Sequence, residues 1–406
     1  MKKLTILLAG FAFLAVEASA LDETKASTYE MLVETLENHP ALEAARQAVI
    51  QQNEAANGAG GLPDPMLMLG INNYPVNGGG FDRFAMTSKS IGFVQKLPNG
   101  GVRAASVFAK KKLAEKAEIA VEFTRQKLIV QLNTALADNI RISEERGLIR
   151  QDIKLLKQER AFWGGRLHAG ESALDELSRT EAELAQAEAK IARLEAEETA
   201  VTETLKQLTG AVEPSSLPAL AMTPQKQGVF PVILAEKDIH IALANTQKAD
   251  AAFGPNYQLG VTYAQRDDSG NFDGTDFASV QLGVSVPLWA GSNQEPKLRA
   301  AQAGVKRAEA LYRDAQNQWT QKLAVLRAQI HETEATEKAL DLKARAIQSQ
   351  IYSLRSAYES NGRLDQLIAA KRSRLGLQVQ ITQLKARYVK QISTYNAYFT
   401  PKEGYQ

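Results

Sequence analysis

The sequence predicts a mainly α-helical protein with a small membrane β part, and three observations lead to this class. The 13 prolines leave two long windows free, 99–213 and 297–400, and proline interrupts helices because it lacks an amide donor and clashes with the preceding turn. Within the first window, 171–209 is rich in Ala, Glu, Lys, Leu and Arg, a composition typical of coiled coils. Short runs of alternating apolar and polar residues precede each window and indicate strands.

Residues 1–20 are typical of a secretory signal peptide. Lys2 and Lys3 precede an apolar run at 4–16, and small residues at 18–20 offer a cleavage site. The run is too short for a permanent membrane anchor. We therefore expect an exported mature chain that begins at residue 21; a buried N-terminal helix is the alternative interpretation.

Charge balance and the absence of cysteine exclude several function classes. The 48 Lys and Arg residues against 46 Asp and Glu residues leave a net charge of +2, so no electrostatic argument favours nucleic-acid binding. With no cysteine, disulfides, thiolate metal sites and cysteine nucleophiles are excluded. No nucleophile–base pairing or phosphate-binding loop is visible in the sequence. We therefore expect neither an enzyme nor a resident cofactor or metal.

The first half of the mature chain, 21–213, is predicted to fold as one structural repeat. Its order is helix, strand, strand, long helix, shorter helix. The expected bounds are 66–74 and 85–95 for the strands and 99–168 and 171–209 for the two long helices. We expect Gly164, Gly165 and Gly170 at the reversal between these helices, where helix-breaking residues belong.

The shorter helix of this repeat carries a heptad seam. Two series of seven-residue spacing, three residues apart, are apolar at most positions: Leu177, Leu184, Ile191 and Leu205 in one, and Ala187, Leu194, Val201 and Leu208 in the other. Such a seam over more than four heptads predicts coiled-coil packing against a neighbouring helix.

The same order recurs about 190 residues later, after a linker at 214–230. Gly170 pairs with Gly362, and prolines at 63 and 98 pair with prolines at 255 and 287. A second repeat is therefore expected at 231–400. Its expected elements are strands at 256–264 and 277–286 and helices at 297–361 and 363–399, followed by a C-terminal tail at 401–406.

The four predicted strands are too few to form a closed barrel within one chain. Each is about as long as a tilted strand that crosses a bilayer, and Tyr257, Tyr263 and Trp289 fit an aromatic belt at the bilayer interface. A barrel in lipid must be closed, and four strands cannot close one, so several chains would contribute. The long helices, which we call the rods, are all attached at one end of the strands and would continue the barrel as a helical cylinder. Soluble β-hairpins are the alternative interpretation.

The chain resembles the TolC family of outer-membrane efflux channels over essentially the whole mature sequence. The segments that carry this resemblance are NHPALEAAR at 38–46, GESALDEL at 170–177, VPLWAG at 286–291 and GRLDQL at 362–367. Three further segments are similar to outer-membrane subunits of heavy-metal efflux systems, of the cobalt-zinc-cadmium and copper-silver type: LPDP at 62–65, GINNYPV at 70–76 and IGFVQKLP at 91–98.

The resemblance implies a homotrimer in the outer membrane of a Gram-negative bacterium. Three chains would form a 12-stranded β-barrel continued by a long periplasmic α-helical tunnel. The implied partners are a periplasmic adaptor (membrane fusion) protein, an inner-membrane pump of the resistance-nodulation-division class and outer-membrane lipid. The implied function is export of a substrate, with heavy-metal cations expected. A periplasmic coiled-coil adaptor or structural scaffold of an export complex is the alternative, although neither explains four strands at matched positions.

The resemblance also implies a periplasmic gate near the second helix reversal. Asp365 matches the acidic position that forms a constriction ring in the family, and Tyr358, Arg363 and Asp175 are further gate candidates. Gly170 and Gly362 are the expected helix-reversal residues. The sequence departs from the family at Ile368, where many members have a second acidic residue. The alternative role for Asp365 and Asp175 is helix capping, because carboxylates in a first turn interact favourably with the helix dipole.

Overall fold

The computed structural model describes residues 29–210, 217–223, 228–268, 272–361 and 364–400, without the side chains of 357–361. The predicted signal peptide at 1–20 and the tail at 401–406 lie outside the described residues, as do Gly362, Arg363 and part of the predicted linker.

The described residues are mainly helical with one small sheet, which confirms the predicted mainly α-helical class with a small β part. The elements are α1 (Tyr29–Thr35), a 3₁₀ turn (Leu36–Asn38), α2 (Pro40–Ala59), β1 (Met66–Asn72), β2 (Ser88–Leu97), α3 (Gly100–His168), α4 (Leu174–Thr209), α5 (Phe230–Ala251), β3 (Asn256–Gln265), β4 (Phe277–Ser285), α6 (Gln294–Asn361) and α7 (Leu364–Asn396). At 1.5 Å per residue, α3 and α6 are each roughly 100 Å long.

Local sequence signals set several helix ends. Helix α2 begins with Pro40, and the His39 ring Nδ1 accepts a hydrogen bond from the Ala41 amide at 3.2 Å. At the start of α3, the Asn99 side-chain oxygen accepts one from the Gly101 amide at 2.7 Å. Both caps satisfy amides that have no partner inside the helix.

Three predicted helix ends and the predicted place of two glycines need correction. Helix α6 begins at Gln294 rather than 297, because a proline is tolerated in the first helical turn and Pro296 lies there. Helix α4 begins at Leu174 rather than 171, and α7 ends at Asn396 rather than 399. Gly164 and Gly165 lie inside α3 and not at the reversal, which follows His168.

The strands of the first repeat are also displaced from their predicted bounds. Strand β1 ends at Asn72 rather than 74, and β2 spans Ser88–Leu97 rather than 85–95. The Thr87 hydroxyl donates a hydrogen bond to the Asn73 carbonyl at 3.1 Å. This contact closes the loop between the strands, so the preceding residues belong to the loop and not to β2.

The long helices lie side by side in the order α4, α3, α7, α6, because α3 contacts both α4 and α7, and α7 contacts α6. The predicted heptad seam of α4 faces α3: Leu184, Ala187 and Leu194 are buried against Ile142, Ile149 and Leu156. Helices α4 and α6 are therefore the outer helices of the row.

The sheet lies at one end of the rods. It is antiparallel in the order β1-β2-β3-β4, so the central β2–β3 pair joins the two halves of the chain. Strand β2 leads into α3 through Pro98 and Asn99. The Asn99 amide donates to the Asn256 side-chain oxygen at 2.9 Å, and this contact ties the start of α3 to the start of β3.

Candidate functional site

The pairing register sorts the side chains of the sheet into two faces, one of which is apolar. Leu67, Phe93, Val261 and Val280 stand opposite one another across all four strands. We call this side the apolar face. Its residues are Leu67, Leu69, Ile71, Ile91, Phe93, Leu97, Tyr257, Leu259, Val261, Tyr263, Ala278, Val280, Leu282 and Val284, with Lys89, Gln95 and Gln265 toward the strand ends. Many are well exposed, Val280 by 75%, so a protomer leaves a large apolar surface uncovered.

The opposite side, which we call the polar face, carries small and polar side chains. Its residues include Met66, Met68, Gly70, Ser88, Ser90, Gly92, Val94, Lys96, Gln258, Gly260, Thr262, Ser279, Gln281, Gly283 and Ser285. A Cβ added to Gly92 would lie 3.0 Å from the Thr262 Oγ1, and one added to Gly70 would lie 3.1 Å from the Ser90 Oγ. The polar face therefore leaves little room for a larger side chain at Gly92 or Gly70.

The exposure of the central strands indicates that the sheet curves toward its polar face. Gly92, Val94 and Gly260, which lie on this face in the two central strands, are buried. The larger Phe93 and Val261 on the other face remain more than 40% exposed. Side chains crowd on the concave side of a curved sheet and spread on the convex side. The polar face is therefore concave and the apolar face convex.

The sheet has two free edges. Strands β1 and β4 are outermost, and no other strand among the described residues pairs with their outer sides. An unpaired edge presents a row of backbone donors and acceptors that can pair with another chain. Such an edge beside an apolar convex surface indicates an incomplete sheet.

Aromatic residues mark both ends of the apolar face. Tyr257 and Tyr263 lie on it six residues apart in β3, a separation of roughly 20 Å along a strand. Trp289, which follows β4 at the Tyr257 end, is 76% exposed. Amphipathic aromatic side chains are typical of the boundary between an apolar and a polar surface.

At the first helix reversal, Gly170 adopts a backbone φ of +84°, which glycine tolerates without strain. Its amide donates to the Leu167 carbonyl at 3.0 Å, and the Glu171 amide donates to the Arg166 carbonyl at 3.0 Å. These bonds end α3. Asp175 follows as an exposed residue in the first turn of α4.

The second reversal is described in part. Asp365 lies in the first turn of α7 and is half-buried. Ile368, one turn further, is only 1% exposed, so it packs inside the protomer. Tyr358 lies on α6, but its side chain, Gly362 and Arg363 lie outside the described residues. Of the gate candidates, the structure therefore describes the side chains of Asp365 and Asp175.

Two charge networks cross the long helices, and sequence reasoning missed both. In the network nearer the reversals, Arg372 of α7 contacts three carboxylates: Asp152 at 2.8 Å and Glu159 at 3.3 Å on α3, and Glu183 at 2.6 Å on α4. Burial acts to lower the pKa of Arg372, but hydrogen bonds with Asp152 and Glu183 outweigh it and raise the pKa.

The second network lies farther from the reversals. Arg141 of α3 contacts Asp138 and Glu145 at 3.1 Å and Glu197 of α4 at 3.0 Å. Lys390 of α7 contacts Asp138 at 2.6 Å. Burial acts to lower the pKa of Arg141, but hydrogen bonds with Glu197, Glu145 and Asp138 outweigh it and raise the pKa. The signal available in the sequence was a charge asymmetry: α4 carries nine acidic and four basic residues, α7 one acidic and six basic.

None of the described helices is both long and apolar enough to cross a bilayer. Among the described residues, no group of three or more His, Cys, Asp or Glu side chains is placed to hold a metal ion.

One family model matches part of the chain. The family model of outer membrane efflux proteins matches residues 31–211, which is most of that repeat and less than half of the chain. None of the curated proteins compared with the chain matches it.

Solved outer-membrane channels are similar to the chain over most of its length. One match is CusC, whose crystal structures concern the conformational changes that accompany folding and transmembrane channel formation. Its TM-score is 0.72 at 15% identity, and the alignment covers 91% of this chain and 91% of CusC. The outer-membrane channel OprN has a TM-score of 0.73 at 17% identity and 93% coverage of each chain. The open-state MtrE outer membrane channel of Neisseria gonorrhoeae has a TM-score of 0.70 at 18% identity, with 91% of this chain and 88% of MtrE covered. At these identities, the similarity shows a common fold.

Proposed function

We propose that this chain is the outer-membrane channel subunit of a tripartite efflux system, and that three copies form one channel. The observation that carries the proposal is the curved sheet at the end of the rods, which is apolar on its convex face, polar on its concave face and unpaired at both edges. Pairing β1 of one copy with β4 of the next would satisfy both edges and turn the apolar face toward lipid.

Three copies give a closed barrel of plausible size. Twelve strands spaced about 4.8 Å apart and tilted by roughly 40° enclose a backbone cylinder about 24 Å wide. The polar face would line its interior. A polar lumen inside an apolar belt is the arrangement of channel-forming outer-membrane barrels.

The outer helices of the row support continuation of the barrel as a tunnel. Helix α4 is strongly acidic, while α6 carries eleven basic and eight acidic residues. In a ring of three protomers, α4 of one copy would meet α6 of the next. Their opposite charge balance favours this contact.

The gate belongs at the tunnel end farthest from the sheet. The reversal at Gly170 lies there, as do the end of α6 and the start of α7. Three Asp365 carboxylates around the channel axis would attract cations and repel one another, with Tyr358, Arg363 and Asp175 supplying closing contacts. The half-burial of Asp365 beside the buried Ile368 also fits capping of α7, so the gating role of Asp365 requires a direct test.

The proposed partners are a periplasmic adaptor protein and an inner-membrane pump of the resistance-nodulation-division class. The proposed cargo is heavy-metal cations. Its support is the resemblance of 62–65, 70–76 and 91–98 to metal-efflux channels. These residues flank or form β1 and β2.

Membrane fractionation combined with a deletion strain tests this function. We expect the protein in the outer-membrane fraction, and we expect deletion to sensitise cells to divalent or monovalent heavy metals. Complementation with the intact gene is the control. A water-soluble periplasmic protein would contradict the channel, whereas sensitivity confined to organic drugs or detergents would retain the channel and contradict the metal cargo.

A further inference from the structure

Lys96 is the one charged residue on the polar face of the four strands. The strands contain only two charged residues, Lys89 and Lys96, both in β2. Lys96 stands opposite Gln258 of β3, in the same alternation as Gly92 and Val94. Because β2 is an internal strand of the protomer, closure of the barrel would not change this register.

Lys96 borders a recess of about 390 Å³ at the helical end of the sheet. The polar side chains around it are uncharged: Asn256, Gln258 and Ser285. The Lys96 side chain is exposed, and no described carboxylate lies within 4.0 Å of its ammonium. Its charge is therefore directed to the solvent of the concave side.

Lys89 provides the contrast within the same strand. It lies on the apolar side, and its Nζ is 3.0 Å from an Asp267 carboxylate oxygen and 4.4 Å from the centre of the Phe81 ring. Its charge is therefore paired. Seven residues of strand separate it from Lys96, roughly 23 Å, which exceeds the Debye length of about 8 Å at physiological salt. The acidic loop beyond β3 is thus screened from Lys96.

Asp64 is the acidic residue nearest to Lys96 along the sheet register. It lies between Pro63 and Pro65, outside β1, and makes no ion pair with Lys96 within 4.0 Å. Proline lacks an amide donor, so the strand pairing that would bring Asp64 opposite Lys96 is not continued through Pro65. The Asp64 carboxylate therefore weakens the field of Lys96 without forming an ion pair with it.

We propose that Lys96 sets the charge preference of the barrel lumen, so that substrates cross it most readily as anions or neutral complexes rather than as bare cations. This inference rests on the proposed trimeric channel. Three Lys96 side chains would surround a lumen about 24 Å wide at the backbone, so much of the cross-section lies within about a Debye length of an ammonium group. A metal cation would accordingly cross this level with anionic ligands bound.

The absence of native cysteine permits a test by thiol labelling in whole cells. Gln258→Cys places a single thiol beside Lys96, and its reaction rates are measured with anionic and cationic methanethiosulfonate reagents. The anion-to-cation rate ratio, normalised to a free thiol in solution, is expected to exceed one. Lys96→Gln should lower this ratio about twofold, since one charge at ~7 Å in water at physiological salt changes the local concentrations of monovalent anions and cations by roughly 1.5-fold each, in opposite directions.

Two matched variants separate this inference from the channel itself. Lys89→Gln in the Gln258→Cys chain should leave the ratio unchanged, because Lys89 is paired and distant. Val261→Cys, on the apolar face, should be protected from both reagents by lipid. Equal labelling of Val261→Cys and Gln258→Cys would overturn the barrel. A protected Val261→Cys with a ratio below one, or with a ratio insensitive to Lys96→Gln, would overturn the role of Lys96 alone.

Discussion

At the scale of single residues, Arg141 of α3 and Arg372 of α7 bind carboxylates from neighbouring helices. Arg372 joins α7 to α3 and α4, and Arg141 joins α3 to α4 while sharing Asp138 with Lys390. Charged side chains in partly buried positions are costly unless paired. Each network therefore constrains the register in which the rods pack.

The acid dependence of stability should reveal the Arg141–Glu197 contact. The hydrogen bond from Arg141 holds the pKa of Glu197 below its ordinary value of 4.5. A carboxyl with a lowered pKa stabilises the fold above about pH 4.5, and this contribution is lost as the pH falls through the folded-state pKa. Glu197→Gln should cost about 0.5–1.5 kcal/mol at pH 7 and progressively less in acid.

Urea unfolding at pH 7 and in acid measures this difference. Glu195→Gln on the same helix is the control, because Glu195 is exposed. Equal effects of the two substitutions at pH 7, or an effect of Glu197→Gln that does not change with pH, would contradict a specific contribution from Glu197.

Asp365→Asn tests the gate at the same scale. If three Asp365 carboxylates surround the axis, their removal should lower cation-over-anion permeability of the reconstituted channel by about twofold or more. Single-channel reversal potentials in a salt gradient measure this ratio, with Glu195→Gln, an exposed carboxylate of α4 outside the candidate gate, as the control. Unchanged selectivity would return Asp365 to helix capping.

At the scale of elements, the α3–α4 pair depends on its heptad seam. Leu194 is 3% exposed in the cluster that also contains Ile149 and Leu156. Leu194→Ala should lower the free energy of unfolding by about 2–4 kcal/mol, because the substitution leaves a cavity that the packed helices cannot fully close. Leu174→Ala, at a position that is 61% exposed, is the matched control. Similar urea midpoints for the two variants would argue against the seam as the source of stability.

The helices were largely predictable from sequence because proline-free windows and heptads are local signals. The ends were less so: Pro296 lies inside the first turn of α6, and Gly164 and Gly165 continue α3. A helix tolerates proline in its first turn and glycine in its interior, so neither residue type by itself fixes a helix end. The predicted bounds of β2 were wrong because they depend on a hydrogen bond that is not local. The Thr87 hydroxyl and the Asn73 carbonyl, which close the loop before β2, are 14 residues apart in the sequence.

The candidate site was predictable only in part. Alternation in β3 and β4 indicates two-faced strands, but the alternation alone does not pair Lys96 with Gln258 or give the direction of curvature. The Arg372 contacts join residues more than 180 apart in sequence, so only the packed helices bring them together. Likewise, the half-burial of Asp365 follows from tertiary packing.

At the scale of the whole molecule, a single protomer leaves apolar side chains exposed and two strand edges unpaired. Its sheet is apolar on the convex face and open at both edges, and the helix row ends in an acidic α4 and a more basic α6. A ring of identical chains would complete both parts with the same set of contacts, since each copy offers both complementary sides. The central claim is therefore that the protomer functions only as part of a closed assembly.

The native mass of the detergent-extracted protein tests this claim most directly. The full-length chain has a mass of 44.3 kDa, from which the predicted signal peptide is subtracted. Native mass spectrometry should find particles of three mature chains and no stable single-chain particle. A well-folded single chain that conducts ions in a bilayer, or a protein that leaves the membrane without detergent, would contradict the account.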